Sequence, residues 1–131
     1  MTSGGWRSFL RFEVDQGFTT MVGSQTFEQK LALRQGQVSA DKLRVATAKE
    51  GDEVVATSEL VLVNGTKGKK VKEDEAWASG TLVAPQKRGA GIGEQMAAWQ
   101  DEMARIVGVR SLLLNFDYWT GTLQIWLDPY A

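Results

Sequence analysis

The sequence predicts an α/β (α+β) fold, with a mixed, mostly antiparallel sheet and one β-α-β unit at its centre. Three observations predict this class. A strand-like run meets a long amphipathic helix through a glycine-rich segment, the helix stops at a glycine, and an unbroken leucine run typical of a covered parallel strand follows. The length of 131 residues favours one domain spanning residues 1–131.

The first third of the chain predicts one strand and one short helix. The segment Ser8 to Val14 alternates aromatic or branched residues with polar ones, which favours a strand. The run from Thr26 to Gln29 has the spacing of a capping box and predicts a helix start, with Phe27, Leu31 and either Ala32 or Leu33 on its apolar face. We expect this helix to stop at Gly36.

The middle of the chain predicts a hairpin and a third strand. Alternating residues from Leu43 to Ala48 are followed by the turn residues 50–52 and by a valine-rich run, Glu53 to Val63. A charged loop over residues 66–75 follows, with its lysines at 67–72, and most simply forms a solvated tip, although contact with a phosphate or an acidic partner is an alternative. The segment from Ala76 to Val83 predicts the next strand, with Gly80 as a candidate bulge.

The last third predicts the β-α-β unit and a final strand. From Ile92 to Val107 apolar residues recur at helical spacing, namely Met96, Trp99, Met103 and Ile106, and Gly108 supplies the stop. The segment Val109 to Phe116 predicts a strand parallel to the one before the helix. A last antiparallel strand is expected over Thr122 to Leu127.

Composition excludes several kinds of chemistry. The chain has no cysteine and no histidine, which removes disulfides, thiolate and imidazole ligands, and histidine-assisted nucleophiles, so we expect no metal site. Its 15 basic and 16 acidic side chains nearly cancel, which argues against nucleic acid or a membrane surface as partner. No apolar run is long enough for a membrane span and no signal peptide is apparent, so we expect a soluble, cytoplasmic protein.

The segment from Arg88 to Gly93, hereafter the glycine turn, is the main functional candidate. It consists of Arg88, Gly89, Ala90, Gly91, Ile92 and Gly93 and opens the predicted helix. Small residues let backbone N–H groups close around an anion, and the helix dipole favours negative charge there. A pyrophosphate fits this site best, and Lys87 and Arg88 add positive charge. The alternative is a purely structural connector between a strand and a helix.

These residues resemble the central half of the GNAT superfamily of acetyl-CoA-dependent N-acyltransferases. The resemblance spans roughly Ala76 to Phe116, and Arg88, Gly91 and Gly93 stand at the positions of the family's acyl-CoA signature. A second register, through Gln86, also fits. The resemblance implies acetyl-CoA (coenzyme A) as cofactor, an amine acceptor that is a small molecule or a protein, and acetyl transfer by direct attack of the amine on the thioester.

The resemblance also implies roles for individual residues. A backbone N–H around Leu82 and Val83 would polarise the thioester carbonyl. Glu75 is the candidate base that deprotonates the ammonium, although it also fits a solvated acidic run. Tyr118, or alternatively Tyr130, is the candidate donor to the departing thiolate, and the alternative for each is a packed aromatic with a satisfied hydroxyl.

The end of the chain departs from the family pattern. It stops at Ala131, about where the family continues with a helix and two further strands. This leaves open a shortened domain, a strand exchanged in a homodimer, or a non-catalytic GNAT-fold protein that binds CoA or another protein. The last of these is the alternative to an N-acetyltransferase.

Overall fold

The fold is α+β, as predicted, with a five-stranded mixed sheet and three helices within the described residues. A computed structural model describes residues 3–18, 25–62, 74–115 and 122–127. The elements in chain order are α1 (Ser3–Asp15), α2 (Phe27–Ser39), β1 (Leu43–Glu50), β2 (Glu53–Val61), β3 (Glu75–Val83), α3 (Ile92–Val107), β4 (Ser111–Asn115) and β5 (Thr122–Trp126). The predicted lysine loop, Tyr118 and Tyr130 lie outside the described residues.

The sheet has the strand order β1-β2-β3-β4-β5 and one parallel pair. Strands β3 and β4, which precede and follow α3 in the sequence, pair in parallel, and this confirms the predicted β-α-β unit. The other neighbouring strands are antiparallel. The hairpin between β1 and β2 turns at Gly51, whose φ of 60° only glycine adopts readily. Six residues separate β4 from β5.

The two faces of the sheet carry separate cores. On one face Leu60, Leu62, Ala76 and Leu112 pack with Ala104 of α3, and Trp99 and Met103 lie against them. On the other face, Leu43, Val61 and Trp77 pack beneath α2 and α1. Because side chains alternate along a strand, successive residues of β2 supply both cores.

The predicted strand over residues 8–14 is wrong, because this segment is part of helix α1. The buried residues Trp6, Phe9, Leu10 and Glu13 recur at positions i, i+3, i+4 and i+7, which is the spacing of one helix face. The sequence pattern is misleading because Glu13 is charged and yet fully buried. A charged residue at a core position makes a helical period resemble strand alternation.

Two details of the other helices also differ from prediction. Helix α2 continues through Gly36 to Ser39, since this glycine costs only about 1 kcal/mol in a helix interior. Leu33 is half exposed and Arg34 occupies the buried position instead. In α3 the bounds agree with prediction, but Ile106 is 69% exposed and does not belong to the apolar face.

The start of α2 has the predicted capping box. The Thr26 hydroxyl accepts from the Gln29 backbone N–H, and the Gln29 side chain accepts from the Thr26 N–H. Replacing Thr26 with alanine leaves a helix-terminal donor without its partner. We expect the Thr26→Ala variant to lose about 1 kcal/mol of unfolding free energy, measured by urea denaturation. Ser39→Ala, at the exposed other end of α2, should change stability by less than half as much.

Candidate active site

The glycine turn lies where β3 ends and α3 begins. A short 3₁₀ turn, Pro85–Lys87, bends the chain out of the sheet. Gly89 and Gly91 then take positive φ values of 85° and 83°, and Gly91 caps α3. These left-handed conformations cost a residue with a side chain roughly 1–2 kcal/mol. The backbone conformation therefore favours glycine at both positions.

The glycine turn presents a run of unpaired backbone donors. Among the described residues, no acceptor is hydrogen-bonded to the amide nitrogens of 89–94, and the first intrahelical bond runs from Gln95 N to Gly91 O. These six amides surround the N-terminus of a 16-residue helix, whose dipole favours an anion. Such an arrangement is typical of phosphate sites.

Space at the glycine turn is open on the side away from the protein. A Cβ on Gly89 or Gly91 would meet no atom of the described residues within 4 Å. At Gly93 it would lie 3.8 Å from Val83 Cγ2, which is ordinary van der Waals contact. Glycine at 89 and 91 is thus needed for backbone conformation and for access, and close packing within the chain does not require it.

The two basic residues next to the glycine turn are both held by the protein. Lys87 Nζ forms a 2.6 Å ion pair with Glu50, and this hydrogen bond and charge raise the pKa of Lys87. Arg88 Nε donates to the Val83 carbonyl at 3.2 Å. Each of these contacts ties the segment to the end of the sheet, Lys87 through Glu50 of β1 and Arg88 through Val83 of β3.

Strands β3 and β4 separate before they reach the glycine turn. They pair only from Glu75 with Ser111 to Trp77 with Leu113. Beyond this point β4 pairs with β5, and no strand among the described residues pairs with the last part of β3 on this edge. An extended ligand can use an open strand edge as it would a neighbouring strand.

The direction of the β3 amides distinguishes Val83 from Leu82. Ala84 N donates to Val55 O of β2. Because amides alternate sides along a strand, the amide of Leu82 also faces β2, whereas that of Val83 faces the unpaired edge. Of the two predicted backbone donors, Val83 is the one directed into the gap between β3 and β4.

Glu75 does not lie near this gap. It begins β3, pairs with Ser111 and is eight residues from Val83, a separation of about 25 Å along an extended strand. The prediction that Glu75 acts as the base on an acyl group at Val83 is therefore not supported by the fold. The other predicted catalytic residue, Tyr118, lies outside the described residues.

An open cavity of about 530 Å³ lies elsewhere, between α1 and the start of α2. Its charged residues are already engaged, because Arg7 pairs with Glu28 and the Arg11 guanidinium lies 4.4 Å from the centre of the Phe27 ring. Among the described residues no group of acidic or other ligating side chains could hold a metal ion, and no helix is long and apolar enough to cross a membrane.

Comparison with solved structures identifies the architecture. The chain has the GNAT fold. It is similar to an aminoglycoside N-acetyltransferase, AAC(6')-Iy, in complex with CoA (TM-score 0.68, 14% identity, covering 89% of this chain and 74% of that one). It is also similar to a ribosomal-protein-alanine N-acetyltransferase from Brucella melitensis (TM-score 0.65, 20% identity, covering 87% of this chain and 70% of that one). A third similar structure is a predicted acetyltransferase with acetyl-CoA from Clostridium acetobutylicum (TM-score 0.60, 16% identity, covering 86% of this chain and 71% of that one).

Comparison of sequences finds no equivalent. No protein-family model matches the chain, and no curated protein matches it significantly. The three neighbours named above are acetyltransferases, and two of their structures hold CoA or acetyl-CoA. At 14–20% identity the three similarities above establish the fold alone.

Proposed function

We propose that this protein binds acetyl-CoA and transfers its acetyl group to an amine. The observation that carries the proposal is the run of unpaired amides at residues 89–94 beside the open edge of β3, on a GNAT fold. The amides suit the pyrophosphate of CoA, and the open edge suits its extended pantetheine arm. The fold neighbours that contain CoA support the same cofactor.

The chemistry assigned to this chain is carbonyl polarisation and positioning. Acetyl-CoA supplies an activated thioester. The Val83 N–H would donate to the thioester oxygen and stabilise the negative charge that develops there as the amine nitrogen attacks. The carbon–sulfur bond then breaks, the nitrogen loses a proton, and the thiolate takes one up. We propose Tyr118 as the donor to this sulfur, as the sequence predicts, with Tyr130 as the alternative.

Titration calorimetry with acetyl-CoA and with CoA tests the cofactor. Binding of both ligands supports the site, and absence of both contradicts it. Thiol release over peptides, polyamines and aminoglycosides then tests transfer. Binding without turnover on any of these amines would favour the alternative, a non-catalytic GNAT-fold protein.

A cytoplasmic location and a homodimer remain predictions. Cell fractionation tests the location, and analytical ultracentrifugation tests the homodimer.

Replacing Glu75 with glutamine should leave acetyl transfer unchanged. The side chain lies at the far end of β3, about 25 Å from Val83, which is too distant for proton transfer within one hydrogen-bonded contact. We expect kcat and its pH dependence to match those of the wild type in the thiol-release assay. A fall in kcat in Glu75→Gln, together with loss of the acidic limb of the pH profile, would restore Glu75 as the base.

A further inference from the structure

Strand β3 contains one extra residue relative to β2. Ser79 pairs with Glu59 and Leu82 pairs with Thr57, so three steps along β3 match two along β2. The extra residue lies at Gly80 or Thr81, opposite Ser58. This is the β-bulge predicted at Gly80, and a bulge reverses which side of a strand later residues face.

The bulge determines where the Val83 amide points. The backbone N–H of Leu62 donates to Lys42 O and so points towards β1. Because backbone amides alternate sides along a strand, the N–H of Glu59, three residues earlier, points towards β3, and that of its partner Ser79 points towards β2. In an unbulged strand Val83, four residues after Ser79, would face β2 as well. The bond from Ala84 N to Val55 O shows instead that Val83 faces the open edge.

A buried glutamine of α3 holds the last register pair before the bulge. Gln100 is 4% exposed, and its Nε2 donates to the carbonyl of Glu59 at 2.9 Å and to that of Ser79 at 3.4 Å. Just beyond, the hydroxyls of Ser58 and Thr81 are hydrogen-bonded at 3.0 Å. Polar contacts therefore hold the bulge itself and the residue pair just before it, on the face that α3 covers.

Gln100 occupies a position where packing alone would call for an apolar residue. It lies one turn after Met96 and one turn before Ala104, both of which are buried against the sheet. A buried amide is costly unless it is hydrogen-bonded, and its bonds are directional where apolar contacts are not. Its two bonds fix α3 to both strands at the one point where the register of the sheet changes.

We propose that Gln100 is a positioning residue that holds the β3 bulge so that the Val83 amide faces the acyl carbonyl. This inference rests on the proposed function. Gln100 lies on the sheet side of α3, away from the glycine turn, so its loss should affect the carbonyl and spare the pyrophosphate contacts. The two effects can be measured separately and without knowing the acceptor amine.

The test compares wild type with Gln100→Leu, which keeps the size and removes both hydrogen bonds. Calorimetry gives the Kd of acetyl-CoA, and ¹³C NMR of acetyl-CoA labelled at the carbonyl carbon gives the shift between free and bound ligand. We expect Gln100→Leu to change the Kd by less than about threefold. The carbonyl shift should fall below about half of the wild-type value, because the donor no longer points at the oxygen.

Two further variants make the result decisive. Met103→Leu, a volume-conserving change in the same core, should behave as the wild type in both measurements. Gln100→Asn, one methylene too short to keep both bonds, should lose carbonyl shift even if Gln100→Leu fails to fold. A full carbonyl shift in whichever of these two Gln100 variants folds and binds overturns the inference. Failure of the wild type to bind acetyl-CoA overturns the proposed function, and this inference with it.

Discussion

Replacing Gly91 with glutamate should abolish CoA binding while the chain still folds. Gly91 caps α3 at a φ of 83°, and a side chain there would project into open space, where no protein atom lies within 4 Å. That space is where the proposed pyrophosphate sits. A carboxylate would fill it with bulk and with negative charge, at the helix end that otherwise attracts an anion. We expect the Kd of CoA to rise by about 100-fold or more in titration calorimetry.

The same substitution at the other end of α3 separates ligand exclusion from backbone strain. Gly108 also has positive φ, at 93°, and also has open space around its Cβ. Gly108→Glu therefore carries a similar conformational cost of roughly 1–2 kcal/mol, and its charge lies unfavourably at the helix C-terminus. It should lower the melting temperature without weakening CoA binding. Equal loss of affinity in both variants, or full affinity in Gly91→Glu, would show that the glycine turn is only a connector.

The β-α-β unit was predictable because its signals are local. Helix α3 has the predicted bounds, and glycines in the left-handed conformation stand immediately before and after it. The leucine run of β4 and the bulge at Gly80 also come from short patterns that a single segment contains. A strand, a glycine turn and a helix in direct succession leave few arrangements open, which is why the candidate cofactor site could be placed from the sequence.

Two of the errors share one cause, which is burial of a polar side chain through a partner on another element. Glu13 is buried against Arg34 of α2, so α1 lacks a continuous apolar stripe and resembles a strand. The buried position of Gln100 was not predicted, although a polar residue between Met96 and Ala104 on the apolar face of α3 was a visible signal. Its two acceptors are carbonyl oxygens of β2 and β3, and periodicity within one segment cannot identify such partners.

Replacing Arg34 with methionine should destabilise the fold by about 3–5 kcal/mol, the cost of leaving a buried charge without its partner. Arg34 forms ion pairs with Glu13 of α1 and with Glu59 of β2, and all three side chains are at most 10% exposed. The variant removes the guanidinium that contacts both buried carboxylates. Urea denaturation gives the loss. Arg44→Met, which breaks the exposed pair with Asp41, should cost less than about 1 kcal/mol.

The pH dependence of the unfolding free energy lost in Arg34→Met shows whether charge or packing causes the loss. Without the Arg34 guanidinium, burial favours the protonated form of these carboxyl groups in the folded state, which then binds more protons than the unfolded chain. Stability of such a state falls as pH rises and recovers as pH falls. The difference in unfolding free energy between wild type and Arg34→Met should therefore narrow from pH 7 to pH 5. A constant difference would attribute the loss to packing.

Removing the charges of Glu13, Arg34 and Glu59 together tests whether this buried cluster stabilises the fold alone or also holds the β3 bulge. Apolar replacement of a complete buried ion cluster is often neutral or stabilising, so Glu13→Leu, Arg34→Met and Glu59→Leu combined should recover most of the loss. The Glu59 carbonyl would still accept from Gln100 on the other face of the sheet, since this bond uses the backbone. The triple variant should thus retain the carbonyl shift of bound acetyl-CoA that Gln100→Leu loses. Loss of that shift in a stable triple variant would mean that the bulge is held by Arg34 and Glu59 as well as by Gln100.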